Sequence, residues 1–144
     1  MSSPGYKIPE SVLVVVYTDK GEVLMLRRRY PANCWQSVTG SLEPGESPQD
    51  AARRELHEET GLDLGVVDCR RTNEFKILPA WRDRYAPGTQ TNLEHVFVAR
   101  CPEAADITLN PHEHAGYLWL PCTEAAELAT FSTNRDAILE YVAD

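Results

Sequence analysis

No apolar run in this chain approaches the roughly 18 residues that a membrane-spanning helix needs. The opening residues, MSSPGYKIPE, lack the basic-then-apolar build of a signal peptide. A cytoplasmic location is the resulting expectation. None of the four cysteines (Cys34, Cys69, Cys101, Cys122) forms a C-x-x-C pair, so a zinc ribbon or a thioredoxin-type motif is excluded. Reduced thiols are their simplest reading. Basic residues are also in deficit. Lys and Arg number 14 against 22 Asp and Glu, for a net charge of −8, which disfavours duplex nucleic acid as a partner. A small anionic ligand still fits, bound through a divalent metal and a few local arginines.

What is present suits one globular domain over residues 1–144, with 42% hydrophobic and 25% charged residues. VLVVVYT (12–18) is β-branched and apolar and reads as a buried strand. Asp19-Lys20-Gly21 signals a turn into a second strand, EVLMLRRR (22–29), and the two should form a hairpin. WQSVTGS (35–41) is expected as a third strand. Further strands are expected at 66–78, where a break is possible, at 94–101 and at 117–121, with a long polar loop over 79–91. Residues 47–60, 123–130 and 133–142 read as helices. The fold class is therefore α+β, a mixed sheet with helices packed on it.

The segment GSLEPGESPQDAARRELHEETGL (40–62) carries the chemistry. Ser47 caps its helix, Pro48 takes the first helical position and Gly61 supplies the stop. Glu55 shares a helical face with Glu58 and Glu59, so three carboxylates repel one another over one arc. A merely solvated acidic face is the ordinary explanation of such a cluster. The glycine-bearing loop before it, Gly40 to Gly45, argues otherwise, because it lets backbone approach a ligand. The spacing G-x5-E-x7-R-E-U-x-E-E-x-G-U, with U apolar, is filled at every defined position by Gly40, Glu46, Arg54, Glu55, Leu56, Glu58, Glu59, Gly61 and Leu62. It resembles the signature of the Nudix hydrolases, metal-dependent enzymes that cleave a diphosphate linked to another moiety. A binding module of the same fold that had lost catalysis would usually lack these carboxylates; here all are present.

The resemblance implies an α/β/α sandwich with a mixed central sheet and Mg²⁺ as cofactor, with Mn²⁺ a possible substitute; both are hard cations that prefer oxygen ligands. It places metal ligands at Glu55, Glu59, Glu58 and Gly40, with Glu58 alternatively a base, and it makes Arg54 an orienting residue among the catalytic group. Shorter motifs across most of the chain, among them WQSVTGS (35–41), DCRRTNEF (68–75) and RYAPG (84–88), resemble a bacterial branch of the family that removes pyrophosphate from dihydroneopterin triphosphate. The alternative is a nucleoside triphosphate pyrophosphohydrolase of the same family. This closer resemblance suggests Glu113 as a metal ligand from outside the helix, ahead of Glu94. His112 and His114 are read as solvated loop residues. Lys7, Arg28 and Thr39 are implied for the triphosphate, and Phe75, Lys76, Ile77, Leu78, Ser132 and Asn134 for the ring. Trp35, Tyr85, Trp119 and Phe131 are the other aromatic candidates for stacking.

Overall fold

The computed structural model describes residues 5–142. The ends of the expected domain, residues 1–4 and 143–144, lie outside the described residues. β1 (Glu10–Tyr17) and β2 (Glu22–Arg28) pair antiparallel around the Asp19-Lys20-Gly21 turn. The expected single strand at 35–41 is two short ones, β3 (Trp35–Gln36) and β4 (Val38–Ser41). The interruption is physical. Ser37 gives its N–H to the Asn134 side chain (2.8 Å), and the chain changes partner there, β3 pairing β2 and β4 pairing β1. The acidic helix α1 (Pro48–Thr60) follows. β5 (Val67–Lys76) carries a bulge between Asp68 and Arg71, with Arg70 at φ 55°, the break that its sequence foreshadowed.

The expected loop over 79–91 contains a 3₁₀ turn, Pro79–Arg84, before β6 (Thr91–Arg100). β7 (His114–Pro121) begins three residues earlier than its sequence suggested, because His114 still pairs with Arg28 across a register shift in β2. The helices α2 (Cys122–Leu128) and α3 (Ser132–Tyr141) close the described chain. β1 lies parallel to β6 and antiparallel to its other partners, so the seven-stranded sheet is mixed.

Alternation along β1 builds two cores. Val12, Val14 and Val16 face α1, where Ala52 and Leu56 are fully buried. Leu13 and Val15 face α2 and α3, packing with Ala125, Ala137 and Ile138. The molecule is thus the expected sandwich of helices on both faces of a mixed sheet. On the shared edge of β1, β4 pairs with Ser11–Val14 while β2 meets it at Tyr17, so the sheet splays there.

Candidate active site

α1 presents its carboxylates through a defined start and stop. Ser47 Oγ accepts the Asp50 N–H (3.1 Å), Pro48 leads, and Gly61 ends the helix in the left-handed region at φ 76°. Glu55 and Glu59 then point toward β4. A Cβ on Gly40 would lie 2.2 Å from Glu55 Cδ, so only glycine leaves room for that carboxylate. Arg54 lies at the centre of the cluster. It holds Glu46 with two bonds (2.8 Å each), Glu55 at 2.7 Å and the Ser41 carbonyl at 3.1 Å.

Glu59 is 1% exposed, and both its oxygens are buried without a hydrogen-bond partner. Burial first, then the adjacent Glu55, then Glu113, lift its carboxyl well above the ordinary range. Burial lifts Glu55 as well, against the pull of Arg54. Glu59, whose oxygens lack a full hydrogen bond, beside the buried Glu55, whose donor is Arg54, forms an unfavourable arrangement that a cation relieves. Glu59, Glu113 and His114 each offer a ligand atom within 4.8 Å of the other two. His114 corrects the expectation of a solvated loop histidine. It is 3% exposed, and its Nε2 lies 3.6 Å from Glu59 Oε1. Burial, then Arg28, lowers its pKa to about 4, so it is neutral near pH 7.

These groups line a cleft of ≈ 500 Å³ that also takes in Gly40, Glu55, Lys7 and Arg28. Burial, followed by Arg84 and Arg28, holds the Lys7 ammonium below its ordinary range. Arg84, absent from the sequence-derived set, reaches the cleft because the Lys7 N–H donates to its carbonyl (2.8 Å). Glu58 is not among the lining residues. Its side chain is 52% exposed and accepts from Arg54 at 3.2 Å.

A second cavity of ≈ 230 Å³ opens beside the cleft, and Gln36 and Thr39 line both. All six residues expected around a ring (Phe75, Lys76, Ile77, Leu78, Ser132 and Asn134) line this cavity. Thr39 sits at the junction, where its hydroxyl donates to the Val12 carbonyl (2.9 Å) and its backbone faces Glu59. The Asn134 amide is engaged with Ser37, accepting the N–H at 2.8 Å and donating to Oγ at 2.9 Å. Sequence reasoning passed over Trp81. It packs against Phe131 with ring centroids 6.0 Å apart, and the Arg28 guanidinium lies 5.3 Å from its ring centroid. That contact couples the two chambers. Trp119 and Trp35 pack against the two cores instead. Glu94, considered as a metal ligand from sequence, lines the second cavity and stands outside the Glu59–Glu113–His114 group.

The cleft and the cavity sit side by side on an α/β/α sandwich, the cleft lined by carboxylates and by Lys7, Arg28 and Arg84, the cavity by Phe75, Trp81 and Phe131. The chain belongs to the Nudix family: the NUDIX domain matches residues 7–142. It is 44% identical over 148 residues to the dihydroneopterin triphosphate diphosphatase of Escherichia coli K12, covering 99% of this chain and 97% of that one. The enzyme of that name from Haemophilus influenzae is 38% identical over 143 residues, covering 95% and 89%. The solved structure of the E. coli dihydroneopterin triphosphate pyrophosphohydrolase superposes with a TM-score of 0.90 at 45% identity, covering 95% of this chain and 97% of that one.

Proposed function

We propose that this protein hydrolyses dihydroneopterin triphosphate to the monophosphate and pyrophosphate, with Mg²⁺ as its cofactor. The observation that carries this reading is the junction of the two chambers at Gln36 and Thr39. One molecule with an anionic tail and a flat ring fits across it, and the near full-length identity to the E. coli enzyme supports the same substrate.

The carboxylates fit a hard divalent cation. Glu59 has two buried oxygens in want of a positive partner, and Gly40 leaves space for Glu55 beside it. Glu55, Glu59 and Glu113 would hold the ion, with the Gly40 carbonyl and His114 adjacent. When bound, such an ion neutralises phosphate charge and makes coordinated water more acidic. The remaining work belongs to the chain. Lys7, Arg28 and Arg84 bind phosphate oxygens, and guanidinium forks suit that task. Arg54 orients Glu55 and Glu46. Phe75, Trp81 and Phe131 enclose the ring and exclude water from it. Water adds to one phosphorus of the α–β anhydride of the triphosphate, the P–O bond of that anhydride breaks, and the monophosphate and pyrophosphate result. Glu58 lies within reach of Arg54 at the rim, where it supports the cluster or accepts a proton.

Pyrophosphate release should require Mg²⁺, stop with a chelator and return when metal is restored. With Mg²⁺, kcat/KM for dihydroneopterin triphosphate should exceed that for each of the eight common nucleoside triphosphates. A preference for a nucleotide would retain the chemistry and overturn the substrate.

A further inference from the structure

The second cavity is mostly aromatic and aliphatic, yet a carboxylate stands in it. Among the described residues Glu94 is the one acidic residue that lines it, and it is 5% exposed. It projects from β6 on the face that carries Val96, toward α3. Asn73, its partner across the β5–β6 pairing, donates to Oε1 (3.2 Å), and Thr133 on α3 also bonds it. Among the described residues no Lys or Arg forms an ion pair with it; Arg71 acts only from a distance.

A carboxylate offers about four acceptor positions, and these two neighbours leave some of them open toward the cavity. A buried anion in that condition is costly unless further donors arrive. Burial accordingly lifts its carboxyl above the ordinary range, with Asn73, Thr133 and then Arg71 pulling the other way. The neighbouring amide of Asn134 cannot serve a ligand as freely, because its oxygen accepts from Ser37 and its nitrogen donates to Ser37.

Resting on the substrate class proposed above, we infer that Glu94 is the specificity residue of the ring cavity and reads a 2-amino-4-oxopyrimidine edge. That edge carries two adjacent donors, the ring N–H and the exocyclic amino group, and a carboxylate accepts both in parallel. Pterin and guanine share it. Adenine and cytosine place an acceptor beside their amino group, and uracil flanks its single N–H with two carbonyls. Each of these sets a lone pair against the carboxylate. Sites built around a buried hydrogen-bonding group reject analogues that lack the partner far more strongly than sites built on shape.

Glu94→Gln tests this, because it preserves volume and turns one acceptor into a donor. Initial rates are taken for dihydroneopterin triphosphate, GTP and ITP, the last being a purine without the 2-amino group. The wild type should favour GTP over ITP by about tenfold or more in kcat/KM. In Glu94→Gln the ratio should fall to near one, and kcat/KM for the pterin should drop by about tenfold or more. The GTP/ITP ratio does not depend on how much of the variant is folded, so a folding defect cannot imitate the result. Inhibition by inorganic triphosphate, which reports the acidic cleft, should be unchanged. A wild type that treats GTP and ITP alike, or a variant that keeps the wild-type ratio, overturns the inference. A wild type that discriminates GTP from ITP but ignores the pterin would overturn the proposed substrate and leave the role of Glu94 intact.

Discussion

Single atoms decide whether the acidic cleft exists. Gly40 has no Cβ, and Glu55 occupies the place where one would be. Gly40→Ala must displace Glu55 or β4. It should cost about 1–3 kcal/mol of stability, as overpacking does, and more in activity than in folding. Urea titration and pyrophosphate release on the same sample check both. Glu59 makes a sharper case. Its raised carboxyl holds a proton in the folded state at pH values where the unfolded chain has lost it. Without metal, the wild type should therefore lose stability relative to Glu59→Gln as pH rises from the ordinary carboxylate range through the raised value. With Mg²⁺ the order should reverse, because only the carboxylate gains a cation. Thermal melts between about pH 5 and pH 8, with and without Mg²⁺, read this crossing. A stability difference indifferent to pH and metal would contradict the assignment. The same substitution should lower kcat/KM by about a hundredfold or more.

At the scale of elements, α1 was legible because its information is local. Ser47, Pro48 and Gly61 mark its ends, and 3.6 residues per turn align Glu55 with Glu59. Ser47→Ala removes the Asp50 N–H acceptor at an exposed position outside the lining of either chamber. It should cost about 1 kcal/mol and leave kcat and KM unchanged, as melts and initial rates will show. Elements defined by distant partners were less legible. The break at Ser37 depends on Asn134, 97 positions away, and nothing in WQSVTGS announces it. The true start of β7 likewise depends on the irregular pairing of His114 with Arg28.

Across the whole molecule, the sandwich and the Nudix carboxylates could be read in advance, since one contiguous segment encodes their spacing. The ring cavity was partly legible. Phe75–Leu78 and Ser132 were reached through short matched motifs, and the cavity gathers all of them. Trp81 and Arg84 were not, because they ride on a 3₁₀ turn whose position is set by tertiary contacts such as the Lys7–Arg84 hydrogen bond. His114 looked like a loop residue until burial against Glu59 gave it a place in the cleft. The account's central claim is that one substrate spans both chambers. A crystal structure with dihydroneopterin triphosphate and Ca²⁺ tests it most directly, since the looser coordination of Ca²⁺ should slow turnover enough to trap the complex. The account predicts the cation on Glu55, Glu59 and Glu113, the phosphates against Lys7 and Arg28, and the pterin between Phe75 and Trp81 with its amino edge on Glu94. A pterin lying outside that cavity, or a cation bound away from Glu59, would contradict it.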